Sequence, residues 1–198
     1  MSIKNKNDRR AQRTRSWLEE ALRELMQEKV YQKITVGEIV KRADVARPTF
    51  YLHFETKDDL LMSLFDELFH ELNQALSQEL ALENVDLHLF GRWFFAYGAK
   101  NGEKIKILLD AGVEYRLQER FRDVFSSVSQ SVVAIDPPDE KALAVLPYLE
   151  EFIVTGTFVL LKRWIQEGMV VPAEMMGHLV GESTTALRAV VKQWPTLD

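Results

Sequence analysis

The chain has 198 residues, 46% hydrophobic and 28% charged, with 25 Lys and Arg against 30 Asp and Glu. These proportions are those of a packed globular protein and exclude a disordered or fibrous chain. It has no cysteine, which excludes a disulfide framework and a thiolate metal site and fits a reducing compartment. The charge is uneven along the chain. Residues 1–54 carry 12 Lys and Arg against 7 Asp and Glu, whereas residues 55–198 carry 13 against 23. A basic head on an acidic body suits a head that meets a polyanion and a body that does not. The N-terminal run through Arg9 and Arg10 lacks the apolar stretch of a signal peptide. The longest apolar run, residues 152–161, is about half of what a membrane span requires. A cytoplasmic protein, with no membrane partner, is the expectation.

In chain order, nearly every segment carries helical periodicity. Trp17, Leu18, Ala21, Leu22, Leu25 and Met26 form one buried stripe of a first helix over residues 8–29, with Glu19, Glu20, Arg23, Glu24 and Glu28 on its wet face. Thr35 and Glu38 are spaced as a capping box and open a short helix whose buried side is Ile39, Val40 and Ala43. A second short helix spans residues 47–54, with Pro48 in its first turn where no intrahelical donor is lost. Thr56 and Asp59 start a long helix through Leu60, Leu61, Leu64, Phe65, Leu68 and Leu72. Apolar, aromatic residues 87–99 form the next, followed after Gly102 by 103–109 and then by 114–133. Asp136-Pro137-Pro138-Asp139 is the clearest breaker. A helix over 140–167 stops at Gly168, and a last one begins at Pro172 and ends before Pro195. No strand pattern or repeat is present. The fold class is all-α.

Residues 35–54 carry the functional signal. Two short helices joined by Asp44-Val45-Ala46 have the length of a DNA-reading helix-turn-helix, with Val45 plugging the angle between them and Ala43 small enough for a close crossing. The second helix offers Arg47, able to pair bidentately with guanine, together with the hydroxyls of Thr49 and Tyr51 for bases or phosphates. A basic arm (Lys4, Lys6, Arg9, Arg10, Arg13, Arg15) precedes the motif. A helix pair of this kind also occurs as plain core, and His53 alone reads as a surface histidine. The conjunction of motif, placement and basic arm favours DNA.

The run Ile34-Thr35-Val36-Gly37-Glu38-Ile39-Val40, then Ala43 through Phe54, Thr56-Lys57 and Leu60-Leu61 resembles the signature of the TetR family of one-component regulators. The resemblance covers residues 10–61. It implies that Thr35 caps its helix and touches a phosphate, that Arg47, Pro48 and Thr49 approach base edges, and that Tyr51, His53 and Lys57 contact phosphates. It also implies an N-terminal three-helix DNA-binding domain over residues 1–58 and a helical effector-binding and dimerisation domain over 59–198. Its last two helices would pair two copies, matching a palindromic operator on double-stranded DNA. Two positions depart from the family pattern. Asp44 stands where Gly is usual, in a turn that often requires positive φ, which Asp tolerates better than most residues. Ala46 stands where a capping Ser is usual, a change of about 1 kcal/mol at the start of the reading helix.

For the body, residues 140–191 supply two long striped helices. Gly156 permits close approach, and Leu179, Leu187 and Val190 offer matching surface for a homodimer. Candidate effector-pocket residues are Trp93, Phe94, Tyr97, Phe121, Phe125 and Tyr148, with Tyr97, Tyr115 and Tyr148 as polar tips. Arg116 would meet an anion, and Glu114 or Glu151 a cation. For any single one of these aromatics at helical spacing, plain core is the stronger reading. His53, His70, His88 and His178 show no metal-ligand spacing, and no phosphate loop, nucleophile elbow or cofactor fingerprint appears. The expectation is a repressor released by a small effector, without cofactor, metal or catalysis. A body that docks a partner protein, and a helical enzyme with an unused head, are the alternatives.

Overall fold

The computed structural model describes residues 3–80, 87–135 and 140–192. Among these, all regular structure is helical. In order they are α1 (Ile3–Glu28), a single 3-10 turn (Tyr31–Lys33), α2 (Val36–Arg42), α3 (Arg47–Tyr51), α4 (Lys57–Ser63), α5 (Asp66–Leu80), α6 (Leu87–Lys100), α7 (Gly102–Asp110), α8 (Glu114–Ile135), α9 (Glu140–Gln166) and α10 (Ala173–Lys192). The breaker at 136–139 and Pro195 lie outside the described residues, as do the side chains of Lys4, Lys6 and Val190.

The chain divides into two compact units, residues 1–68 with 111–113, and residues 69–110 with 114–198. In the first, Leu18, Leu22 and Leu25 of α1 are buried with Ile39 of α2, Phe50 of α3 and Leu60 and Leu61 of α4. Both expected capping boxes form: Thr35 with Glu38 at α2, and Thr56 with Asp59 at α4. Trp17 does not join the buried stripe. It is half-exposed, with the Arg13 guanidinium 5.2 Å from its ring centroid. The helix expected to run unbroken from Thr56 is interrupted. Leu64 N–H donates to Leu61 and Phe65 N–H to Met62, so the last turn of α4 tightens to three-residue spacing before α5 starts at Asp66.

The second unit is a helical bundle. Phe95, Leu108, Leu117, Phe121, Phe158 and Leu161 are buried in its core. Where α6 meets α10 the backbones nearly touch. A Cβ on Gly91 would lie 2.4 Å from the Gly177 carbonyl oxygen, and one on Gly177 would lie 2.4 Å from Arg92 Cα. Only glycine fits at either position. Gly168, at φ 79°, ends α9 as its sequence position suggests, and the Trp164 indole N–H donates to the Val171 carbonyl at 2.7 Å to fasten the turn.

The reading of residues 152–161 as half a membrane span understates α9. Its segment Leu143–Gln166 is long and apolar enough to cross a bilayer by composition, with mean hydropathy 1.6. Val154, Phe158, Leu161, Trp164 and Ile165 pack inward, while Phe152 and Val159 are exposed. The helix is apolar on two sides, and the bundle covers one of them.

Candidate nucleic-acid interface and body cavity

The turn between α2 and α3 is built by backbone hydrogen bonds. Val45 N–H donates to Val40 O at 3.0 Å and Asp44 N–H to Lys41 O at 3.4 Å, with Asp44 left-handed at φ 54°. This is the Schellman arrangement, and it places an aspartate at the position that favours glycine. α3 then starts from Ala46, whose side chain makes no cap, with Pro48 in the first turn.

Phe50 is fully buried and anchors α3, so its opposite face is presented outward. Arg47 and Pro48 are exposed there with Tyr51, while Thr49 and His53 are half-buried. The Arg47 guanidinium lies 6.0 Å from the Tyr51 ring centroid, and its Nη2 lies 3.4 Å from Tyr51 Oη. A cation and a phenol thus stand together on the exposed face of α3. Leu52, which the sequence reading passed over, is 82% exposed. Its signal was an apolar residue two places after the buried Phe50, on the side of the helix that faces away from the core.

Two expected DNA contacts are engaged inside the domain. The Thr35 hydroxyl donates to Glu38 Oε2 at 2.9 Å and accepts from the Glu38 N–H at 3.3 Å, so its proton is held by the capping box. Lys57 is half-buried, and its ammonium donates to the carbonyls of Tyr31 at 3.1 Å and Ile34 at 2.9 Å, 4.4 Å from the Tyr31 ring centroid. It clamps the turn between α1 and α2, a partnership more than twenty residues distant that no local spacing shows.

Ion pairs sort the remaining charge. Arg42 holds Glu24 at 3.1 Å and Glu28 at 2.9 Å, and these carboxylates push its guanidinium still further above its ordinary range. Glu38 pairs with Lys29. That hydrogen bond first, and those from Thr35 second, lower its carboxyl from 4.5 to about 2. Arg9, Arg10, Lys33, Lys41 and Arg47 are exposed cations of this unit. Opposing charge at the α1–α2 seam is therefore internally matched, and positive charge reaches solvent along the arm and α3.

In the second unit the expected pocket residues scatter. Phe94, Phe121 and Phe125 are buried and meet edge to face, with Phe94 5.4 Å from Phe121 and 5.3 Å from Phe125. Trp93 and Tyr97 are half-buried and stack at 5.8 Å; burial first, and the Glu71 charge second, push the Tyr97 phenol up to about 12. Tyr115 is exposed and accepts from Arg116 Nε at 2.8 Å, and Tyr148 is 78% exposed. Glu114 is paired with Lys162 at 2.6 Å, and Glu151 takes both Arg122 nitrogens at 2.5 and 3.1 Å.

A cavity of about 230 Å³ lies between α8, α9 and α10, closed at one side by Phe90 of α6. Phe125 alone of the expected pocket residues lines it; Val154 and Val180 add apolar wall, and Ser126, Thr184 and Arg188 supply polar atoms. Val180, Thr184 and Arg188 recur every four residues on α10, the one sequence signal that could have marked them. A broader concavity of about 820 Å³ runs over the outer face of α9 and α10, past Tyr148, Phe152, Gly156, Val159, Leu179 and Leu187. Among the described residues, no three His, Asp or Glu side chains gather as a metal site would need.

Comparison with known proteins bears on this architecture. Residues 18–64 match the family described as bacterial regulatory proteins, tetR family. Over 59 residues the chain is 36% identical to the HTH-type dhaKLM operon transcriptional activator DhaS of Lactococcus lactis subsp. lactis (strain IL1403), covering 30% of this chain and 32% of that protein. Over 69 residues it is 32% identical to the HTH-type transcriptional regulator EthR of Mycobacterium tuberculosis (strain ATCC 25618 / H37Rv), covering 35% and 32%. The matched segment thus spans about a third of each relative's length. Over 91% of this chain and 98% of the other, the fold is similar to the solved structure of the dihydroxyacetone kinase operon activator DhaS, with a TM-score of 0.55 and 18% identity. The capped helix α2, the Schellman turn and α3 all lie within residues 18–64, the segment that is similar to bacterial regulatory proteins of the tetR family.

Proposed function

We propose that this chain is a sequence-specific, DNA-binding transcriptional regulator, working in the cytoplasm as a homodimer and released from its operator by a small effector. The observation that carries the DNA reading is the exposed Arg47–Tyr51 pair on a reading helix anchored by buried Phe50. Arg47 is placed to read a base edge, with Pro48 and Thr49 beside it. Tyr51 and His53 meet phosphates, and Thr35 and Lys57 hold the reading helix in place from within.

The homodimer reading rests on the outer face of α9 and α10. Phe152 and Val159 stand exposed there beside Gly156, whose added Cβ would meet nothing within 4 Å. A self-complementary apolar face of this kind suits a two-fold pair, and a two-fold pair suits half-sites about 34–36 Å apart.

The small-effector reading is favoured over a docked protein partner by the cavity between α8, α9 and α10. Effector and DNA would prefer different states of the dimer, with reciprocal coupling between them. One relative, DhaS, is named an activator.

The test is the salt dependence of binding to a labelled random-sequence duplex, followed by fluorescence anisotropy. Each neutralised phosphate contributes a slope of about −0.9 in log K against log salt. A slope of several such units is the expected result, with Tyr51→Phe weakening binding but leaving the slope unchanged, because a neutral phenol neutralises no phosphate. Affinity without salt dependence would contradict the reading.

A further inference from the structure

We propose that the cavity between α8, α9 and α10 is a receptor for a small amphipathic carboxylate, with Arg188 as the group that binds the anionic head. The proposal rests on the small-effector reading above and names the chemistry of that effector.

The case begins with the charges around the cavity. Four charged side chains line it: Arg122, Glu150, Glu151 and Arg188. Arg122 and Glu151 form a two-pronged pair, both about half-exposed, and so neutralise each other. Arg188 is different. It is half-buried, and among the described residues nothing accepts a hydrogen bond from its guanidinium or pairs with it within 4 Å. A guanidinium has five N–H donors and needs planar acceptors. Glu150 acts on it only through space. Burial lowers the Arg188 pKa, and the Glu150 charge, the smaller influence, opposes that shift without cancelling it.

The walls then select what accompanies the anion. Phe90, Phe125, Val154 and Val180 present rings and methyls, so the rest of the ligand is apolar. An uncharged apolar ligand would strip further water from the half-buried Arg188 and leave it unpaired, which costs free energy. A cation would meet Arg188 head-on. A carboxylate answers both problems, because its two oxygens match the guanidinium fork. The cavity, at about 230 Å³, lies below the range of about 300–1,000 Å³ usual for drug-sized ligands. A short-chain or single-ring acid is therefore the appropriate size. Ser126 of α8 and Thr184 of α10 also line the cavity and add hydroxyl-bearing side chains to orient it.

The experiment is isothermal titration of the full chain with octanoate, octanamide and octylamine, and with 4-phenylbutyrate as a ring-bearing acid. At least one of the two carboxylates is expected to bind saturably, with octanamide at least about ten-fold weaker than octanoate and octylamine not binding. Arg188→Gln should remove the preference for acid over amide. Glu150→Gln, which removes the carboxylate opposing the ligand, should tighten acid binding several-fold. That second variant decides the matter even if Arg188→Gln fails to fold. The proposal is overturned if neither acid binds saturably, if octanamide or octylamine binds as tightly as octanoate, or if Glu150→Gln weakens acid binding. The same preparations are tested for selection of duplexes from a random pool. Duplex enrichment without acid binding removes this inference and leaves the regulator reading intact. Acid binding without enrichment removes the regulator reading and leaves the receptor.

Discussion

Lys57 and Tyr31 are joined twice: the ammonium lies 4.4 Å from the centroid of the tyrosine ring and donates to the same residue's carbonyl at 3.1 Å. With a further hydrogen bond to Ile34 O at 2.9 Å, this one side chain ties the start of α4 to the turn that orients α2. The family resemblance implied a phosphate contact for Lys57, and the two roles make different predictions. Replacing it with Met should lower the stability of the full chain by about 1–2 kcal/mol, the worth of charge-assisted hydrogen bonds at a half-buried site. At matched folded fraction the salt slope of duplex binding should be unchanged. A slope reduced by about one unit with unaltered urea unfolding would instead make Lys57 a phosphate contact.

Asp44, left-handed at φ 54° in the turn, sets a second prediction. Asp44→Gly should keep the fold and leave stability within about 1 kcal/mol, since glycine enters this region freely but loses more entropy on folding. Asp44→Val should lose about 1–2 kcal/mol, because a β-branched residue resists that conformation. Urea unfolding followed by circular dichroism separates them. Equal effects from both variants would mean the turn relaxes out of the left-handed region.

Glu38 governs a pH effect. Its carboxyl is lowered from 4.5 to about 2 by the hydrogen bond from Lys29 first and those from Thr35 second. A depressed folded-state pKa means that the contribution is complete above about pH 4.5 and fades as pH falls toward 2. The stability gap between the chain and Glu38→Gln should therefore be constant above about pH 5 and narrow steadily below it. A gap that stays flat down to pH 2.5 would remove the carboxylate from the account of the α2 cap.

Two glycines of the second unit should respond oppositely. Gly177→Ala puts a methyl 2.4 Å from Arg92 Cα, a backbone clash that no rotamer relieves. A loss toward the upper end of about 1–3 kcal/mol is expected in thermal unfolding. Gly156 has nothing within 4 Å, so Gly156→Ala should favour helix α9 by about 0.5–1 kcal/mol within one chain. If the outer face of α9 and α10 pairs two copies, the same methyl should weaken self-association in sedimentation equilibrium. A dimer unaffected by Gly156→Ala, and equally by Phe152→Ala, would place the two-fold contact elsewhere.

What could be read from the sequence was local. The capping boxes at Thr35 and Thr56, the left-handed Asp44, the buried Phe50 and the stop at Gly168 all follow from spacings of one to four residues. The features that needed the structure are long-range. Lys57 finds acceptors more than twenty residues earlier, and Trp17 is left out of the core although it sits beside the buried Leu18. The cavity is shaped by how α8, α9 and α10 cross, which helical periodicity does not encode. Periodicity marked Phe94 and Phe121 as buried without distinguishing a core aromatic from a cavity wall, and it gave no sign that Tyr148 faces outward.

The central claim is that the exposed face of α3 reads a DNA sequence in a two-fold arrangement. Selection of bound duplexes from a random pool by the purified full chain, at moderate salt, tests it most directly. The expected product is an enriched inverted repeat with half-site centres about 10–10.5 base pairs apart or a multiple of that, with Arg47→Ala relaxing preference at one position in each half-site. Recovery of no common sequence, before and after unfolding and refolding to strip any bound small molecule, would contradict the account.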